Sequence, residues 1–125
     1  MERDTMIAGL GFRDEAQLAS LLDALDRAKA RDARRLALPA RKAGHPLAAE
    51  LQRLGYDLIW IKDAALAAIS TPTQSAIALA VYGTGSVAEA CALAAAGPRA
   101  WLAAPRALSE DRLAAAALAL TGDTP

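Results

Sequence analysis

Residues Gly83-Thr84-Gly85-Ser86-Val87-Ala88-Glu89 join two glycines, which let backbone approach a ligand closely, to a serine that can open a helix. The first amides of such a helix lack intrahelical acceptors and suit an anion. Ser86 and Glu89 also have capping-box spacing: Ser86 accepts from the Glu89 amide and the Glu89 carboxylate returns the bond. Both roles can hold at once, and an ordinary cap has no need of two glycines. Gly83 to Ala88 equally matches G-x-G-x-x-A, and Ile77, Leu79 and Val81 alternate with alanine as a strand would, so a dinucleotide site is a competing reading. About twenty residues on, where an acid should hold a ribose, stand Pro105 and Arg106, so that reading requires NADP. The residues before Gly83 fit a short helix begun near Thr73 to Ser75 just as well.

Cations recur after the apolar runs of the chain: Arg13 after the first, Arg41 and Lys42 with His45 after the second, Lys62 after the third, Arg106 after the fourth. If those runs are parallel strands, their followers share the rim where open α/β sheets bind ligands. Such a rim concentrates a ligand with several carboxylates or phosphates. The plainer reading is a set of solvated loop charges paired with Asp14, Glu15 and Asp63. His45, before Pro46, reads as a solvated loop residue, and one His with one Cys makes no metal-ligand cluster, so no metal is expected. Cys91 sits at helical spacing with Val87 and Ala94 and reads as core, as do Trp60 and Trp101 in expected strands. No Ser-His-Asp order, P-loop or hydrolase elbow is present.

The elements that must position these groups alternate. Met6 to Leu10 reads as a strand feeding a helix with Leu18, Leu21, Leu22, Leu25 and Ala28 on one stripe; Asp14 and Gln17 have capping-box spacing at its start, and Arg27, Lys29 and Arg31 crowd its end. Arg35 to Leu38 is a second strand closed by Pro39, and Pro46 opens a helix carrying Leu47, Leu51 and Leu54 and stopped by Gly55. Tyr56 to Ile61 is a third strand, after which Asp63 can cap a short helix with Leu66 and Ile69. Beyond the connector Ser70 to Ser75 come the glycine loop, a helix from about Ser86 to Ala96 closed by Gly97-Pro98, and Ala100 to Ala104 as a fourth strand. The tail Arg112 to Leu120 is helix by propensity, although its length also permits an edge strand. Strand-helix alternation with short connections predicts an α/β fold with right-handed crossovers.

The chain has 125 residues, 54% of them apolar, 14 basic and 14 acidic, which suits one soluble domain over 1–125 with a frayed tail at 121–125. Zero formal charge removes the cation excess that non-specific nucleic-acid or membrane-surface binding needs. A single cysteine forms no internal disulfide, the first residues lack a secretory layout, and Ser75 to Ala96 is too broken by polar residues to span a bilayer, so a cytoplasmic setting is expected. About a quarter of the chain is alanine, which fits either the helical or the strand period and blurs that distinction.

Over most of its length the sequence resembles the CobE family, which matches the C-terminal domain of the larger CbiG proteins of cobalamin biosynthesis. Gly9-Leu10-Gly11-Phe12-Arg13 is similar to the family's opening glycine, isoleucine, glycine, cysteine, arginine turn, and Lys42 stands where the family has a lysine after the second strand. Ser75 resembles the serine eight residues before the glycine loop, Gly83 to Ala90 resembles the most diagnostic segment, and Ala104-Pro105-Arg106 resembles the proline and basic residue after the fourth strand. Phe12 departs from the usual cysteine, which removes any thiol role there, and Ala76 departs from an acidic residue often found after the serine.

The resemblance implies a three-layer α/β/α domain with a mixed, mostly parallel sheet of about five strands, in which Ala76 to Tyr82 is helical and the alanine-rich tail is the fifth strand. It implies a tetrapyrrole or corrin intermediate, rich in acetate and propionate groups, held by Gly11, Arg13, Lys42, Ser75, Gly83, Thr84, Gly85, Ser86 and Arg106, with other enzymes of that pathway as partners and no added cofactor. For full-length CbiG proteins it implies opening of a ring-contracted lactone with loss of acetaldehyde, a reaction not carried over to this chain. Were the chain catalytic, Ser86 and Glu89 would be the groups to test, although a carboxylate engaged in a cap is a poor base. An NADP-dependent reductase built on Gly83 to Ala88 and a non-catalytic assembly domain are the alternatives; the first needs a strand before the glycines.

Overall fold

Small residues set how closely the layers of this protein approach one another. The computed structural model describes residues 6–121. Its sheet has the order β3-β2-β1-β6-β4, with β5 also paired to β6. The strands are β1 (Met6–Phe12), β2 (Arg35–Pro39), β3 (Asp57–Ile61), β4 (Trp101–Leu102), β5 (Ala107–Leu108) and β6 (Ala114–Leu120). β1, β2 and β3 are mutually parallel through pairs such as Ala8 with Leu36 and Ala37 with Ile59. β6 runs antiparallel to β1, with Gly9 opposite Ala117, and both β4 and β5 are antiparallel to β6.

The period of two along each strand sorts the core into two layers. Ala8, Leu10, Leu36, Leu38, Ala116 and Leu118 pack with Leu21 and Leu25 of α1 (Leu18–Arg27) and with Leu47 and Leu51 of α2 (Pro46–Arg53). Ile7, Ala37 and Ile61 face the opposite way, against Leu66 of α3 (Asp63–Ala67) and Ala90 and Cys91 of α5 (Val87–Ala96). α4 (Ala76–Tyr82) lies between α3 and α5 in sequence and buries none of its residues. The result is the expected α/β arrangement with a mixed sheet in which β1, β2 and β3 are parallel and β6 runs against its neighbours. Gly9 makes the β1–α5 contact feasible: a Cβ there would lie 2.6 Å from the Ala92 nitrogen and closer still to the Ala88 carbonyl oxygen.

Several local expectations shift. The tail is the strand β6, as the family resemblance implies and against the helix that propensity favours, because it is hydrogen-bonded between β1 and the short strands and covered on both faces; burial overrides intrinsic preference. Ala76 to Tyr82 is helical, as the family resemblance implies. The expected strand at Ala100 to Ala104 shrinks to Trp101–Leu102, and β5 adds a short strand that alanine-rich patterning conceals. α1 is capped not by Asp14 but at Gln17, whose amide donates to Ser20 Oγ, and Lys62 rather than Asp63 is the N-cap of α3. Trp60 and Trp101 are half-buried rather than fully core, since β3 and β4 are the outermost strands. Of the expected frayed tail, residues 122–125 lie outside the described residues. No single described helix is long and apolar enough to cross a membrane; α4 and α5, apolar in sum, meet at a 58° bend.

Candidate functional site

A cavity of about 310 Å³ opens where the C-terminal end of β1, α4, the first turn of α5 and the β5–β6 hairpin meet. Its lining includes three arginines, Arg13, Arg106 and Arg112, the apolar residues Ile77, Val81 and Leu108, and Gly11, Val87 and Ala88. None of the three guanidinium groups has an ion-pair or hydrogen-bond partner among the described residues. Val87 and Ala88 are the first residues of a ten-residue helix, so their amides have no intrahelical acceptor and add positive character to the same lining.

Each cation is placed by a different device. Arg13 follows β1, and its amide donates to the Leu113 carbonyl at 2.9 Å while its carbonyl accepts from Ala16 N. The loop is braced from α2: His45 is the N-cap, its Nδ1 accepts from Leu47 N, and the remaining Nε2–H donates to the Asp14 carbonyl at 2.8 Å. His45 is therefore a structural cap rather than a solvated loop residue, and the ring of Phe12 stands edge-on to it at 5.0 Å. Arg106 is held by Glu89, whose Oε2 accepts from its amide at 2.7 Å. Arg112 sits in the β5–β6 turn, where Asp111 accepts from Ser20 and Ser109 and from Leu113 N, and the Glu110 amide donates to Asp23. These donors hold the Asp111 carboxyl below its ordinary value, the Ser109 hydroxyl contributing most.

The glycine loop serves packing more than solvent. Gly83 ends α4 in the left-handed region, φ 74°, and the Ser75 amide donates to the Gly85 carbonyl at 2.7 Å. A Cβ on Gly85 would lie 2.6 Å from Gln74 Nε2 and closer still to the Thr73 carbonyl. Thr84, Gly85 and Ser86 are buried. Ser86 Oγ accepts from Glu89 N at 3.2 Å, so one half of the capping box forms. The other does not: the fully buried Glu89 carboxylate instead accepts from Thr73 N at 2.9 Å, Thr73 Oγ1 at 2.7 Å and Arg106 N. A buried carboxylate requires such partners, and these outnumber what Ser86 alone could offer. Neither Ser86 nor Glu89 lines the cavity.

Of the residues expected to bind a ligand, the structure brings Gly11, Arg13, Ser75 and Arg106 to the cavity and leaves Lys42, Gly83, Thr84, Gly85 and Ser86 outside its lining. Lys42 pairs with Asp14, and Arg41 pairs with Asp63 at 2.7 Å and lies 4.6 Å from the Tyr82 ring centre. Lys62 is exposed and also outside the lining. The dinucleotide reading meets a helix, α4, where its fingerprint requires a strand, and is set aside. Cys91 is core, and burial pushes its thiol well above the usual range. Among the described residues no three His, Cys, Asp or Glu side chains group as a metal site would.

Arg112 escaped the rule of looking just past each strand. β6 runs antiparallel, so the residue before it, not after it, reaches the rim where β1 ends. The apolar lining escaped too, because Ile77 and Val81 fit a buried strand as readily as an exposed helix.

The family described as Cobalamin synthesis G C-terminus matches residues 6–121. Among solved structures, CobE, a protein from the cobalamin (vitamin B12) biosynthetic pathway, is 31% identical with a TM-score of 0.83, covering 96% of this chain and 92% of its own. The cobalamin biosynthesis protein chiG from Agrobacterium tumefaciens str. C58 is 30% identical with a TM-score of 0.69, covering 94% of this chain and 99% of its own. No curated protein sequence matches the chain. Spanning all the described residues and joined by near-full-length structural likeness, these matches make the chain a member of the CobE and CbiG C-terminal family of cobalamin biosynthesis.

Proposed function

We propose that this protein binds a corrin-type polycarboxylate intermediate in the cavity at the end of β1, in the cytoplasm and alongside other enzymes of cobalamin biosynthesis. The observation that carries the reading is the make-up of the cavity lining: arginines without acidic partners together with an exposed apolar helix face. Ile77 is 62% and Val81 49% exposed, an arrangement that favours an apolar ligand surface laid against them. A corrin precursor has both halves of the match: a largely apolar macrocycle and a periphery of acetate and propionate carboxylates. Guanidinium groups bind carboxylates through paired N–H donors, so each arginine can take one side chain of such a ligand. Family membership supports the ligand class, and the amides of Val87 and Ala88 add a further site for a carboxylate.

The test is an absorbance titration with dicyanocobyrinic acid, whose ring side chains are free carboxylates, beside dicyanocobinamide, in which they are amidated. Saturable binding of the acid, weaker at high salt and stronger than that of the amide, is expected. Arg13→Ala and Arg106→Ala should each weaken it about tenfold, the loss of a charge-assisted hydrogen bond. Absence of binding by the intact protein rejects the proposal.

A further inference from the structure

We infer that Arg112 is a residue by which this cavity distinguishes a ligand with free carboxylates from the same ligand amidated. The inference rests on the polycarboxylate reading above and names a determinant within it.

Arg112 has a backbone conformation that its residue type disfavours. Its φ is 63°, and among the described residues only Lys29 shares a positive φ without being glycine. Lys29 has an ordinary cause: it stops α1, with its amide on Asp26 O and the Ala30 amide on Leu25 O at 2.8 Å. Arg112 ends no helix. It lies in a hairpin turn between β5 and β6, the place where glycine is the default for a left-handed residue.

The turn around it is unusually well tied for a surface hairpin. The Arg112 amide donates to Ser109 O at 2.9 Å, Ser109 N donates to Ala114 O at 2.9 Å, and Ala114 N donates to Ser109 Oγ at 3.1 Å. Ser20 and Asp23, both on α1, bind Asp111 and the Glu110 amide from outside. The acidic neighbour is thus occupied: Asp111 has its hydrogen bonds with Ser20, Ser109 and Leu113, and none with Arg112. The Leu113 carbonyl accepts from Arg13 N, so the two arginine-bearing segments are pinned side by side; both arginines line the cavity, and neither side chain has a hydrogen bond or ion pair among the described residues. A disfavoured backbone held by its surroundings, in a charged residue that lines a cleft and has no acidic partner, is a pattern found at ligand clamps.

The experiment compares dicyanocobyrinic acid with dicyanocobinamide on wild-type protein, Arg112→Gln and Arg112→Gly. The glycine variant keeps the left-handed turn while removing the side chain, which separates a binding role from a structural one. Both variants should bind the acid about tenfold more weakly, with a shallower salt dependence, and bind the amide as wild type does. If Arg112→Gly binds the acid like wild type, the inference is overturned while the cavity's ligand class stands. If wild-type protein binds neither compound, or binds both alike, both readings fall.

Discussion

β1 meets α5 in two ways within one strand. At Gly9 the helix backbone is so near that no side chain fits, whereas at Gly11, one strand repeat further along, a Cβ would meet the Val87 side chain at 3.2 Å and the helix backbone only at 3.6 Å, at Ala88 N. Beyond that point the two elements part and the cavity opens. The seam is closed by small residues on both sides, Gly9 and Ala117 from the sheet and Ala88 and Ala92 from the helix, and every group there is packed. The rim instead keeps groups without partners: three arginines, the first amides of α5 and the exposed apolar face of α4. A rigid, close seam is what allows the adjoining rim to leave interactions open, because the positions of Val87 and Ala88 are then set by packing and not by a ligand.

The sharpest way to break this contrast is at the seam. Gly9→Val forces β1 and α5 apart and should cost about 3 kcal/mol, read as a lowered urea midpoint, while Gly11→Ala should cost much less. Next is Glu89→Gln, which turns an acceptor toward three donors into a group that must also donate. A loss of about 2 kcal/mol is expected, with weaker ligand binding because the Arg106 segment is released from α5. Arg112→Gly should act the other way on stability, gaining about 1 kcal/mol by relieving the left-handed residue, measured as a higher thermal midpoint.

Acid sensitivity gives a finer test of the pinned hairpin. The folded value of the Asp111 carboxyl is depressed, so its contribution is present above the unfolded value near 3.8 and is lost as pH falls through the lower folded one. Urea midpoints should therefore drop at the acid end of the pH range, and Asp111→Asn should flatten that limb. The smallest effects concern groups outside the rim. Cys91 should not react with a thiol reagent until the protein unfolds, and Lys42→Ala should leave acid-ligand binding unchanged, since Lys42 is occupied by Asp14.

Much of this was legible in residue order. The parallel strands at Met6, Arg35 and Asp57, their following helices and the Ser86 cap all follow from period, Pro and Gly placement and capping chemistry, which act over a few neighbouring residues. Arg13 and Arg106 were legible as rim cations for the same reason: each stands beyond an apolar run. The alanine-rich stretches resisted such reading, since alanine satisfies both periods, and β6 is a strand because β1, β4 and β5 supply its hydrogen bonds.

Sequence alone thus determined the alternation of elements, the supply of basic residues and the likeness to a cobalamin-pathway family, because these depend on local pattern. Tertiary structure decided which charges remain available. Lys42 and Arg41 find Asp14 and Asp63 across loops that are distant in the chain, while Arg13, Arg106 and Arg112 are gathered around one cleft by the antiparallel return of β6. Whether a charge is paired depends on distances between segments, a quantity that no local pattern contains.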